Sequence, residues 1–281
     1  MSTLGQKAAS HLVQATVYAM PKVGKTFGAG TFPRPNFIDL DAGIGTLATP
    51  EFIKKHGWHP DIMYEDFKER KRDKRGVIVD HNAYDDACRY FDKCMQPHLR
   101  DSFDTWVIDS GTALVESAMN KTMVLLGGKG FSGISSKTHK EALEFGLVVP
   151  KIQDYGSERS LTEQFVQMVK DTGKHILFIC HERVNTDNDG LITSVTPLLT
   201  GKSVQVINAM FDDVWRVEGK KVVVDGKPVT KRILRTETDG IIMAGSRLGL
   251  PNGTEWNWES ISTALDANRA ARAALTTTTK E

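Results

Sequence analysis

Cysteine is scarce in this chain: Cys88, Cys94 and Cys180 are the three in 281 residues, and their spacing is neither paired nor metal-like. That excludes a disulfide-stapled scaffold and fits a reducing cytoplasm. No run of about 18 apolar residues occurs, and the opening MSTLGQKAAS has no apolar stretch of signal length. The expectation is a soluble, intracellular protein. Net charge is also lacking: a formal +1 excludes a protein that is basic all over and confines any nucleic-acid contact to local patches. No internal repeat is found. With 40% hydrophobic residues the chain can bury a substantial core as one elaborated domain.

The elements that are present alternate. Leu12 to Tyr18 and Asn36 to Asp41 read as strands. Asn82 to Gln96 carries a helical apolar stripe through Tyr84, Ala87, Cys88, Phe91, Cys94 and Met95, stopped by Pro97. TWVIDSGTAL is a buried strand ending in Asp109, followed by a helix to about Leu126. Ser160 and Glu163 form a capping box that predicts a helix start, with Gly173 as its stop. HILFIC is another buried strand, ending at His181. Apolar strands alternating with helices predict an α/β fold with a mostly parallel central sheet. Past residue 210, Gly219-Lys220 and Asp225-Gly226 punctuate short strands of an antiparallel extension, and a last strand is expected at Ile241 to Ala244. The expected division is an N-terminal segment, 1–10, a core, 11–266, and a tail, 267–281, with too little to bury to be ordered.

VYAMPKVGKTF, residues 17–27, is a phosphate-binding loop lacking its first glycine, since Ala19 stands there. A triphosphate site needs inward backbone N–H groups, a lysine on the β- and γ-phosphates and a hydroxyl on Mg²⁺. Pro21, Lys22, Val23 and Gly24 fill the loop, and Lys25 and Thr26 supply the cation and hydroxyl. The helix that follows is expected to be short, because FGAGTFPRP is rich in glycine and proline. A Mg²⁺-nucleotide also needs a carboxylate at the end of a neighbouring buried strand, and Asp109 has that place, unless it only caps a helix. Asp39 and Asp41 end the second strand, where one of them can orient an attacking water; the alternative is that Asp41 caps a turn before Gly43. His181 can sense the γ-phosphate or simply be satisfied at a strand end.

With these elements in order the chain resembles the RecA-like P-loop ATPases. FIDLDAG is similar to the family's strand ending in the catalytic acid, which makes Asp41 the implied general base, an aspartate where glutamate is usual. WVIDSGTAL looks like the Walker B strand, with Asp109 holding the metal. LFICHERV is similar to the strand that ends in the polar sensor, His181 here. PKVGKT, LLTGKSVQVINAMFDDVWRV and AGSRLGLP together look most like the compact phage-encoded ATPases of single-strand annealing and recombination. The resemblance implies ATP and Mg²⁺ as cofactors, single-stranded DNA as partner, a homo-oligomer, a single-strand-binding protein as a further partner, and the cytoplasm of a phage-infected bacterium. It makes Arg247 a finger for a neighbouring subunit's site, although Gly245 replaces the lysine often found two residues earlier; pairing with Asp239 is the structural alternative.

The stretch 127–156 carries Lys129, Phe131, Lys137, His139 and Lys140 among glycines and serines. A long loop with cations and an aromatic suits phosphate and stacking contacts to a single strand. Residues 181–199 are a second candidate for such contact. Lys68 to Arg75, KERKRDKR, binds backbone phosphates or is a solvated face. Two other functions compete with a DNA-stimulated ATPase: a nucleotide-switched binding protein or filament with slow hydrolysis, and a P-loop phosphotransferase, which lacks the arginine-rich lid it would need.

Overall fold

The computed structural model describes residues 12–57, 59, 62–67, 83–126, 154–224 and 227–278. Five parallel strands form its centre: β1 (Gln14–Ala19), β2 (Pro35–Asp39), β3 (Met63–Asp66), β4 (Thr105–Asp109) and β5 (His175–Thr186). They are followed by β6 (Ile192–Pro197), β7 (Asp213–Val224), β8 (Lys227–Arg235) and the two-residue β9 (Gly245–Ser246). The sheet runs β3-β2-β4-β5-β1-β7-β8, with β6 on β5 and β9 on β7. Pairing is parallel from β3 to β7, and β7–β8, β5–β6 and β7–β9 are antiparallel. The expected α/β architecture with an antiparallel C-terminal extension is therefore present, and it fits a RecA-like P-loop core.

Period-two alternation explains why the central strands are apolar throughout. Ala15, Val17 and Ala19 of β1, Val107 of β4 and Leu177 and Ile179 of β5 enter one buried cluster. Tyr18, Trp106, Ile108, Ile176, Phe178 and Cys180 enter the other. The first cluster lies under α1 (Lys25–Ala29), α2 (Pro50–His56) and α8 (Trp258–Thr278), through Phe27, Phe52, Ile261 and Leu265. The second lies under α3 (Ala83–Cys94), α5 (Gly111–Leu126), α6 (Asp154–Lys170) and α7 (Ser203–Ala209). A single turn, α4 (Pro97–Arg100), follows α3.

Several boundaries differ from expectation. Helix α6 begins at Asp154, so Ser160 is internal: its hydroxyl donates back to the Gly156 carbonyl, and Glu163 pairs with Arg159. A serine inside a helix satisfies itself this way and needs no capping box. Strand β7 runs unbroken through Gly219-Lys220 because its partner strand supplies a continuous ladder from Arg216↔Arg235 to Val224↔Lys227. Ile241 to Ala244 forms no strand; Ile242 makes an isolated bridge to Val195, and the strand comes at Gly245–Ser246. Helix α8 continues to Thr278, into the segment expected to be unstructured from 267. Among the described residues no helix is long and apolar enough to cross a membrane.

One acid on α6 is fully buried. Glu158 on α6 accepts from Thr200 Oγ1 at 2.9 Å, while its Oε1 has no partner among the described residues. Burial pushes its carboxyl up to about 7, against the hydrogen bonds from Thr200 and Ser203. A raised carboxyl keeps its proton longer in the folded than in the unfolded chain, so its contribution to stability falls as pH rises from the ordinary carboxylate range to about 7. Glu158→Gln, a neutral isostere, is expected to match the wild type in thermal unfolding near pH 4 and to exceed it by a few degrees at pH 8. An advantage independent of pH contradicts this.

Candidate nucleotide-binding site

The site is built where the parallel strands end. In register, Ala19 of β1 lies beside His181 of β5, and Asp39 of β2 lies beside Asp109 of β4. The loop leaving β1 therefore opens beside His181 of β5 and at the level where β2 and β4 end, and carboxyl ends of parallel strands are where open α/β sheets bind ligands. Two loop residues adopt left-handed backbone, Lys22 at φ 66° and Gly24 at φ 99°, and the short helix expected after the loop is α1, five residues long.

Lys25 is buried, and its Nζ donates to the carbonyls of Ala19 at 3.1 Å and Met20 at 3.2 Å. Burial lowers its pKa, opposed by the charges of Asp109 and more distant acids. Among the described residues the ammonium's hydrogen bonds thus go to neutral carbonyls, an arrangement that an anionic phosphate would improve on. Thr26 Oγ1 donates to Asp109 Oδ2 at 2.5 Å. Burial pushes the Asp109 carboxyl up to about 6, partly offset by the Thr26 hydrogen bond, with Asp41 and Asp39 adding repulsion. A divalent cation at this pair relieves that repulsion. Gly43 leaves the approach open: a Cβ there would stand 3.2 Å from Thr26 Oγ1 and 3.3 Å from Asp109 Oδ2. Among the described residues no group of three or more His, Cys, Asp and Glu is placed to hold a metal. Mg²⁺ takes one or two protein ligands together with waters and substrate phosphates. These residues fit a Mg²⁺-triphosphate: Lys25 for the β- and γ-phosphates, Thr26 and Asp109 for the metal, and the backbone of Pro21, Lys22, Val23 and Gly24 around them.

The two acids of the second strand separate in role. Asp39 is buried and accepts from the N–H groups of Gly43 at 3.0 Å and Ile44 at 3.2 Å. It is Asp39, and not Asp41, that holds the turn at Gly43. The choice follows from geometry, because Asp39 ends the paired strand whereas Asp41 has left the ladder, its N–H donating to the Asp109 carbonyl. Asp41 Oδ2 instead meets His181 Nε2 at 2.9 Å. Burial raises the Asp41 carboxyl, but hydrogen bonds from His181 and Ser110 and the charges of His181 and Lys25 outweigh it and hold the group below its ordinary range. Because the carboxylate is ionised, Nε2 carries the proton between them. His181 Nδ1 is buried without a partner among the described residues, while its backbone N–H donates to Thr112 Oγ1. Asp41 and His181, predicted separately, are one hydrogen-bonded pair.

Arg247 stands elsewhere. It follows β9, which pairs with Asp213 and Val214 at the start of β7, and that end of β7 lies beside Ala15, four residues upstream of Ala19 on β1. About 13 Å of strand therefore separates its level from the loop of its own chain. Its side chain is 72% exposed and pairs with Asp212 at 3.5 Å; Asp239, the partner considered from sequence, pairs with Arg235 at 2.7 Å. Lys129, Phe131, Lys137 and Lys140 lie outside the described residues, as do His139 and the run Lys68 to Arg75. The second candidate loop is not a loop: β5 continues to Thr186 and turns back as β6.

Sequence reasoning missed the residues of β7 and β8 that reach this edge. Arg216, beside Tyr18 in register, donates to Glu182 at 2.7 Å and to Glu218 at 2.7 Å. Arg232 donates from Nε to the Val23 carbonyl at 3.1 Å across a separation of 209 residues. No local pattern signals such a contact, since both arginines sit in strands whose alternation reads as an ordinary solvated hairpin.

No curated protein matches the chain. The AAA domain family matches residues 12–248, which include the loop, both acid-tipped strands, His181 and Arg247. Its nucleoside-triphosphatase character agrees with the lysine, hydroxyl and buried carboxylate assembled here. This chain belongs to the AAA domain family of P-loop ATPases.

Proposed function

We propose that the chain is a Mg²⁺-dependent ATPase that binds single-stranded DNA, works as a homo-oligomer and promotes strand annealing or recombination. One observation carries the catalytic part: Lys25, the Thr26–Asp109 pair and the Asp41–His181 pair converge where β1, β2 and β4 end beside His181 of β5. In this reading Lys25 neutralises γ-phosphate charge, Thr26 and Asp109 position the metal, Asp41 orients the attacking water and His181 couples Asp41 to the phosphate. The DNA part is supported by the resemblance of PKVGKT, LLTGKSVQVINAMFDDVWRV and AGSRLGLP to the phage annealing ATPases and by the cations and aromatic of Lys129, Phe131, Lys137 and Lys140. Turnover of ATP measured with and without single-stranded DNA tests it: several-fold stimulation is expected, and turnover indifferent to DNA, with no ATP-dependent gel shift, overturns the DNA part.

A second reading, a nucleotide-controlled binding protein with slow hydrolysis, is favoured by the short acid Asp41 and by its engagement with His181. An aspartate held ionised below its usual range is a weak proton acceptor and acts mainly by aligning water. The two readings part on Asp41→Asn. If hydrolysis is the working step, the variant binds ATP nearly as the wild type does and hydrolyses it roughly 10²-fold more slowly. If binding alone is the switch, wild-type hydrolysis is already slow and DNA binding by Asp41→Asn keeps its ATP dependence. Poor nucleotide binding by Asp41→Asn contradicts both assignments.

A further inference from the structure

Arg232 touches the phosphate loop on both sides of Lys25 and Thr26. Its Nε donates to the Val23 carbonyl at 3.1 Å, and its guanidinium carbon stands 4.2 Å from the centre of the Phe27 ring. A terminal nitrogen lies 3.2 Å from Glu51 of α2. It fills the space beside Gly24 so closely that a Cβ there would come within 2.2 Å of its Nε. Gly24 suits the place by its left-handed φ of 99°, and a Cβ there would displace the guanidinium.

The strand that carries Arg232 is itself fastened to the loop helix. The N–H of Trp256 donates to the Arg232 carbonyl at 2.8 Å, and Trp256 Nε1 donates to the Lys25 carbonyl at 3.1 Å. One bracket from β8 therefore holds carbonyls at Val23 and Lys25, before and within the first turn of α1. Left-handed backbone at Lys22 is unfavourable for a side-chain-bearing residue and persists where surrounding contacts over-determine it. An arginine suits this position because its planar fork can lie on an aromatic face while donating in its own plane, which a lysine ammonium cannot do.

We propose that Arg232 is a positioning residue for the phosphate loop, holding it in its nucleotide-receiving conformation and so setting affinity for the Mg²⁺-triphosphate. The proposal rests on the reading of Lys25 and Thr26 as a nucleotide site. A merely structural arginine would lower stability without separating binding from turnover, whereas a positioning residue acts first on binding.

The test compares wild type, Arg232→Ala and Arg232→Lys by equilibrium titration with Mg²⁺-ATP, by KM and kcat, and by thermal unfolding. Loss of one hydrogen bond to a charged donor predicts a Kd and KM raised about tenfold in Arg232→Ala, with kcat changed far less. Arg232→Lys recovers part of that affinity by restoring a donor to the Val23 carbonyl without the stacked plane. If Arg232→Ala does not fold, Arg232→Lys carries the measurement, with a Kd severalfold above wild type expected. Wild-type affinity in whichever variants fold, or a fall in kcat with affinity unchanged, overturns the role of Arg232 alone. Absence of ATP binding by the wild type overturns the nucleotide-site reading itself.

Discussion

Lys25→Ala and Asp109→Asn are each expected to abolish Mg²⁺-dependent ATP turnover while leaving a folded protein. In the first, the γ-phosphate would lose its buried cation; the fold is expected to survive because, among the described residues, the ammonium donates to the carbonyls of Ala19 and Met20. In the second, the metal loses its carboxylate but the neutral amide still accepts from Thr26. Asp109 also sets a sign for stability. Its carboxyl is raised to about 6, so the folded chain holds this proton more tightly than the unfolded chain and its contribution to stability falls as pH rises from the ordinary carboxylate range to about 6. Asp109→Asn removes that loss, and its unfolding temperature at pH 7.5 without nucleotide is expected to equal or exceed that of the wild type. Loss of activity thus accompanies undiminished stability, as happens where a site carries unfavourable charge for function. The same proton predicts that Mg²⁺-ATP binding weakens as pH drops below about 6, where the carboxyl is neutral. Turnover near wild type in either folded variant removes Lys25 or Asp109 from the site.

Arg247→Ala is expected to lower turnover of the assembled protein by about 10³-fold or more, the scale of a guanidinium that meets developing γ-phosphate charge. It stands at the start of β7, about 13 Å of strand from the level of its own chain's loop. With 72% exposure and, among the described residues, a 3.5 Å pair to Asp212, it would be open to a neighbouring subunit in the proposed oligomer. Mixing inactive Arg247→Ala with inactive Lys25→Ala protein checks this directly. Co-assembled oligomers contain some interfaces with an intact loop on one side and an intact arginine on the other, so part of the activity returns. Full activity of Arg247→Ala alone, or no recovery despite verified co-assembly, sinks the shared site.

How much of this was legible depended on the range of the interactions. The helix over Gly111–Leu126 and the strand Thr105–Asp109 follow from runs of buried residues whose period is local. The short helix after the loop follows equally from glycine and proline in FGAGTFPRP. Ser160 misled because a hydroxyl and an acid three residues on satisfy the capping pattern whether or not a helix begins there. Gly219 misled because a glycine breaks a strand only when the neighbouring strand does not hold it, and β8 does.

The sequence by itself determined the alternation of buried strands and helices, the residues of the loop from Pro21 to Thr26, and the placing of Asp109 at the end of its strand, whereas Asp41 lies two residues past β2 and His181 lies within β5, which runs on to Thr186. Those features come from chemistry and spacing along a few adjacent residues. Tertiary structure alone decided that Asp39 holds the Gly43 turn while Asp41 pairs with His181, that Arg247 stands at the start of β7 beside Asp212, and that Arg232 reaches the Val23 carbonyl. Each of these depends on the order in which distant strands are laid side by side. Strand order is set by the simultaneous burial of both sheet faces, a property of the whole chain that no short stretch of residues carries.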